Sequence, residues 1–244
     1  MNTAVLRTEA RLLAREPGSL FWILAFPPLL LAILGAVPAF REHQDGLGGL
    51  RVVDAYVPVT VLVGMIVAGV QAMPVGLTGY REQGILRRMS TTPVRPSALL
   101  SAQMLVHALA ALLSALLALT VGRLAYDVRL PGQPYGYLLA LVLAVLVALA
   151  LGSVISAVSG TVKIAGAVGT AVFFPMLFSA GVWLPVQAMP DLMADIVGFT
   201  PFGAAAQALN AATAGDWPGW SHLAVMVVWT VALSATAARW FRWE

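Results

Sequence analysis

The chain has 244 residues, 60% of them hydrophobic and 10% charged, with a mean hydropathy of +0.87. A soluble domain carries about 25% charged residues, so the apolar surplus must face lipid; a cytosolic enzyme, a disordered chain and a nucleic-acid binder are excluded as leading readings. The net charge of +3 rests on fourteen Lys and Arg, thirteen of them Arg, and the lack of cysteine removes disulfides, thiolate metal sites and a cysteine nucleophile.

Residues 1–19 read as an interfacial helix. Arg7, Arg11 and Arg15 recur at i, i+4, i+8, while Val5, Leu6, Leu12 and Leu13 lie largely on another side, the pattern of a basic amphipathic helix in the headgroup layer. A merely solvated charged end is the plainer alternative. Pro17-Gly18 breaks the helix. Six stretches then hold the ~20 apolar residues needed to cross a hydrocarbon layer about 30 Å thick: residues 20–39, 55–78, 102–125, 135–159, 164–184 and 221–239. They are apolar on every side and lack the period of two of a barrel strand. The first is too long for a signal-peptide core and offers a poor cleavage site at 36–39, so it is expected to be retained.

The basic residues orient the chain. With the N-terminus inside, the inner side holds Arg7, Arg11, Arg15, Arg81, Arg87, Arg88, Arg95, Lys163, Arg239 and Arg242; the outer side holds only Arg41, Arg51, Arg123 and Arg129. This asymmetry predicts that both termini are cytoplasmic.

Residues 80–97 form the expected inner loop. A short helix over 81–90 ends at Thr92-Pro93, because the residue before proline avoids the helical region. Ile85, Leu86 and Met89 make a small apolar face among Arg81, Arg87 and Arg88. A topogenic loop needs the arginines alone, so the apolar ridge points to a docking surface for a cytoplasmic partner; the two readings weigh about equally. The outer segment 185–220 has no Lys or Arg, and its apolar stretches 188–197 and 202–214, parted by Thr200-Pro201, are too short to span. They predict interfacial or re-entrant helices, with a surface loop as the alternative. No repeat or linker divides the chain, which predicts one domain over 1–244.

No chemistry of its own is evident. The lone lysine, Lys163, lies outside any GxxxxGK pattern, so no P-loop is present. His43, His107 and His222 are scattered without metal-ligand spacing, and no GxSxG occurs. The spans are nearly free of Asp and Glu, which weakens an ion-coupled carrier. At depth, His107 reads as an interhelical hydrogen bond or a position near the inner interface ahead of a proton-transfer group, and Gln71 as a packing contact or a substrate ligand. Gly152, Ser153, Ser156, Gly160, Gly166 and Gly169 allow close helix approach. Phe173-Phe174-Pro175 and Phe178 could line an apolar route at a proline kink or simply face lipid.

Four stretches carry a resemblance: Glu9 followed by Leu12-Leu13-Ala14-Arg15-Glu16-Pro17, with Pro27-Pro28-Leu29; Tyr80-Arg81-Glu82-Gln83-Gly84-Ile85-Leu86-Arg87-Arg88-Met89-Ser90-Thr91-Thr92-Pro93-Val94; Phe174-Pro175 through Gly181-Val182-Trp183-Leu184-Pro185, then Met189-Pro190; and Thr200-Pro201-Phe202. Together they resemble the permease subunit of type-2 ATP-binding-cassette (ABC) exporters, over essentially the whole chain. Phe202 departs from the smaller or polar residue expected of many relatives, so substrate contacts there do not transfer. The resemblance implies an all-α integral membrane protein of six spans, with an interfacial N-terminal helix, a cytoplasmic coupling helix and short outer re-entrant helices. It implies a bacterial inner-membrane homodimer with lipid around it, joined to two copies of a separate ABC ATPase that binds ATP and Mg. The permease would bind no cofactor or nucleic acid and catalyse nothing alone. ATPase coupling would fall to Arg81, Glu82, Ile85, Leu86, Arg87, Arg88 and Met89. Spans two and five would border the path of an exported apolar or amphipathic compound, a drug or antibiotic by default, with Gln71, Phe173, Phe174 and Phe178 as its candidate lining. Lipid or glycan export within the same class, and an ion-coupled carrier or channel, are the alternatives.

Overall fold

In the computed structural model, residues 3–47, 49–85, 88 and 96–240 are described. An N-terminal helix α1 (Thr3–Ala14) precedes the first long helix, α2 (Pro17–Ala36). Next come α3 (Val52–Glu82), α4 (Pro96–Tyr126), α5 (Pro134–Val158) and α6 (Val162–Ser179). A bent pair, α7 (Asp191–Gly198) and α8 (Pro201–Ala214), leads to α9 (Trp220–Trp240). Six of these helices, α2 to α6 and α9, are long and apolar enough to cross a membrane. The chain is an all-α integral membrane protein, as its composition predicts.

The expected span limits move by a few residues, most tellingly at the ends of the second and fifth spans. The second span runs on to Glu82, because nothing breaks the helix until Gly84, which turns the chain at φ +65°. The fifth stops at Ser179 rather than near residue 184: Gly181 adopts φ +89°, and the Gly181 and Val182 amides donate to the Phe178 and Leu177 carbonyls. A left-handed glycine that returns amides to the last helical turn is an ordinary helix stop. A small hairpin was not expected: β1 (His43–Gln44) pairs antiparallel with β2 (Leu50–Arg51) between α2 and α3.

The axis of the bundle is α3. Its most apolar window is 89% buried, against 17% for α9. Helix α5 packs along α3, with α9 and α8 on its other sides, while α2 and α4 close the opposite flank and α6 covers the second half of α3. One apolar core joins these elements, from Ile23 through Leu62, Met65, Ile66 and Met73 to Ala144, Ala148 and Leu209.

The close approach of α3 and α5 rests on glycine. A β-carbon at Gly152 would run into the Gly69 carbonyl, and one at Gly69 would meet the Ala148 backbone. Gly169 of α6 likewise sits against the Val70 carbonyl at 2.9 Å from its would-be β-carbon. By contrast, Gly160 and Gly166, grouped with these in the sequence reading, face open space. Two wide, π-type turns occur at Phe21–Ala25 in α2 and Val67–Ala72 in α3. Each lies just before a proline (Pro27-Pro28 and Pro74), which lacks an amide donor and whose ring crowds the preceding turn. Widening that turn makes the room.

The outer segment forms the two short helices expected of it, as a bent pair with the geometry of a re-entrant loop or a broken span. Helices α7 and α8 meet at 109°, and Phe202, Ala204, Ala205, Ala206, Ala208 and Leu209 of α8 are fully buried. A non-spanning helix at membrane depth is tolerated when protein satisfies its backbone. Here Thr200 caps the start of α8 through its hydroxyl, which accepts from the Gly203 amide at 3.1 Å. The Gly132 and Gln133 amides, just before α5, donate to the Thr213 and Ala212 carbonyls at its end.

Replacing Gly152 with leucine should drive side-chain bulk into the α3 backbone and cost at least the ~1–3 kcal/mol of an overpacked core. Thermal unfolding in detergent should show a clear loss for Gly152→Leu, whereas Gly166→Ala, which meets nothing, should melt like the parent.

Candidate functional site

A cavity of about 750 Å³ lies between α1, α2, α3, α4 and the start and middle of α6. Local sequence shapes its floor. Glu16 precedes Pro17, so it leaves the helical region (ψ 82°) and α1 turns sharply into α2. The Ser19 hydroxyl holds that turn by donating to the Glu16 carboxylate at 3.0 Å. Gly76 and Gly79 strip side chains from the facing stretch of α3 and leave space.

At its centre stands Glu9. It is 5% exposed and is the one buried residue of α1; Arg7, Arg11 and Arg15 all point outward. One carboxylate oxygen, Oε2, accepts from the Tyr80 hydroxyl of α3 at 2.9 Å and from the Gln103 amide Nε2 of α4 at 2.6 Å. A single acid thus ties α1 to two membrane helices. Burial raises the Glu9 carboxyl above the ordinary carboxylate range; the two hydrogen bonds pull the other way more weakly, and nearby Glu16 adds a further upward push. Gln103 is itself buried, and its Oε1 has no partner among the described residues. His107, one turn further along α4, ties its Nδ1 to the Gln103 carbonyl at 2.9 Å, within its own helix rather than across helices.

The expected path residues separate. Gln71 and Phe173 line this cavity. Phe174 and Phe178 do not: both are exposed, and their rings stand 6.4 and 6.5 Å from that of Trp183 in an outward aromatic group.

The expected coupling residues separate too. Arg81 and Glu82 belong to the last turn of α3, not to a separate helix. The Arg81 guanidinium donates to the Ser156 and Ser159 carbonyls at 3.0 and 2.9 Å, capping the end of α5 as a basic group does at a helix C-terminus. Glu82 is exposed, Ile85 is half-buried, and Arg88 is exposed and donates to the Gln83 carbonyl at 2.9 Å. Leu86, Arg87 and Met89 lie outside the described residues.

Glu9 was missed as a site residue, although its signal was there. It sits at i+4 from Val5 and i−4 from Leu13, which puts an acid on the apolar face of the N-terminal helix.

Because folding favours the protonated form of Glu9, its contribution to stability is complete below the ordinary carboxylate value of 4.5 and is lost as pH rises through the higher folded value. Glu9→Gln mimics the neutral acid and keeps an acceptor for Tyr80 and Gln103. In thermal melts it should unfold above the parent at neutral pH, the gap closing as pH falls toward 4.5; a variant less stable at neutral pH would contradict this.

Comparison with known proteins supplies the wider setting. Over 168 residues the chain is 24% identical to a Bacillus subtilis (strain 168) protein described as "Putative transport permease YvfS", the aligned part covering 66% of each, so the chain spans just under two thirds of that relative's length. The ABC-2 type transporter family model matches residues 2–213. The six long apolar helices agree with this match: the chain belongs to the ABC-2 type transporter family, whose members form the membrane component of ABC transporters.

Proposed function

We propose that the chain is the permease subunit of an ATP-driven exporter in a bacterial inner membrane, pairing as a homodimer and driven by two copies of a separate ABC ATPase. The basic end, with α1, the end of α3 and the start of α6, faces the cytoplasm, since ten of the fourteen cations sit on that side. The cargo is an apolar or amphipathic compound, a drug or antibiotic in the first instance; lipid or glycan cargo fits the same machinery.

The observation that carries the reading is the continuity of α3. Its last turns line the cavity through Gly76, Gly79 and Tyr80, and the segment holding Ile85, Leu86, Arg87, Arg88 and Met89 follows directly. Arg81 fixes the junction to α5. A push on that segment by an ATPase therefore moves a cavity wall with it. Arg87, Arg88 and the apolar residues around them make the docking contact, while Arg81 transmits it. A conformational drive of this kind works because ATP-bound and ATP-free partners bind the two permease states with different affinity.

One observation favours a second reading. A buried acid in a cavity is where an ion-coupled carrier would hold a proton, and Glu9 occupies that place. The two separate on the energy source.

In proteoliposomes holding the permease with its ATPase, cargo flux should require ATP, and Arg87→Ala with Arg88→Ala should abolish it without affecting insertion. Flux driven by a proton gradient with no ATPase present would favour the carrier. The native chain has no cysteine, so single cysteines report topology without background: in intact cells a membrane-impermeant maleimide should label Trp217→Cys and spare Glu82→Cys.

A further inference from the structure

The cavity is chemically one-sided. Among the described residues, its charged lining side chains are Glu9 and Glu16, with no Lys or Arg. Glu9 forms no ion pair among the described residues, although it is buried. Both of its hydrogen bonds from the described residues end on Oε2, and none of these residues donates to Oε1. The Oε1 of Gln103, whose Nε2 bonds Glu9, also has no donor among the described residues. A buried carboxylate without a cation and a buried carbonyl without a donor are each costly. The group that relieves both is a positively charged hydrogen-bond donor.

Apolar side chains make up much of the rest of the wall, with Ser19, Gln71, Gln83 and His107 as further polar groups on it. Leu13, Val67, Val106 and Phe173 line it, and the half-exposed indole of Trp22 stands among them. A volume near 750 Å³ suits a drug-sized molecule. An aromatic face beside an acid is also a favourable setting for an organic cation.

We propose that this cavity binds an organic ammonium with an apolar body, with Glu9 as its counter-ion. The inference rests on the exporter reading for its biological sense and narrows the cargo from any amphipathic compound to a cationic one. The ammonium N–H groups bond Glu9 Oε1 and reach toward Gln103 Oε1, and the apolar body lies along Leu13, Val106 and Phe173. Gln71, on the same wall, adds an uncharged polar contact. The same chemistry fits two sources: a free amphiphilic amine, or the amine headgroup of a membrane lipid.

The test uses the full-length chain in nanodiscs of phosphatidylglycerol, with monodansylcadaverine, a fluorescent primary amine, as probe and its N-acetyl derivative as the neutral match. The amine should bind about tenfold or more tightly than the N-acetyl compound, a difference of about 1.4 kcal/mol. Glu9→Gln should erase that preference, and Glu42→Gln, at the far end of the molecule, should keep it. Equal binding of the two probes to the parent chain would overturn the proposal, with no variant needed. Full amine binding to Glu9→Gln would overturn it as well. Adding phosphatidylethanolamine to the discs separates the sources: displacement of the amine assigns the site to a lipid headgroup, and unchanged binding assigns it to a free amine; both support an ammonium site. No ATPase is present, so failure here leaves the exporter reading standing, and loss of ATP-dependent flux with intact amine selectivity sinks only the exporter reading.

Discussion

Gly69 and Gly152 let two backbones come nearer than side chains would allow, and the bundle is organised around that contact. Among helices in lipid, water expulsion does little to drive association, so dispersion and close fit must supply it. The crossing of α3 and α5 does this, and it fixes α3 as the buried axis. Everything that bears on function hangs from that axis: the cavity wall at Gly76 and Gly79, the Arg81 cap on α5, and the segment that follows Gly84.

The spans were plain in the sequence because their signal is length and apolarity, which tertiary packing cannot disguise. Their ends were less plain. Residues 180–184 are as apolar as the helix before them, and only the left-handed geometry of Gly181 stops it. The hairpin at His43–Gln44 and Leu50–Arg51 was illegible for a different reason: strands of two residues carry no periodicity. The bent pair before α9 was readable from its prolines and its lack of basic residues, and the burial of α8 follows from a run of alanines small enough to pack inside the core, while Leu192 and Ile196 of α7 stay exposed.

The site was half legible. Gln71 and Phe173 were singled out and do line the cavity, whereas Phe174 and Phe178, only one and five residues beyond Phe173, turn away because a helix faces each residue about 100° from the last. Arg81 looked like part of a basic docking ridge, but its charge is spent on the carbonyls that end α5. Glu9 entered only as part of the N-terminal stretch that carries the resemblance, since Arg7, Arg11 and Arg15 dominate the pattern of its helix. Searching the other face for an acid would have found it.

The wide turns in α2 and α3 touch one another near the level of the cavity. Gly69 lies inside the α3 interruption, so the widened turn and the glycine contact with α5 fall at one height, and the basic end beyond it is tied back to the same helix α5 through Arg81.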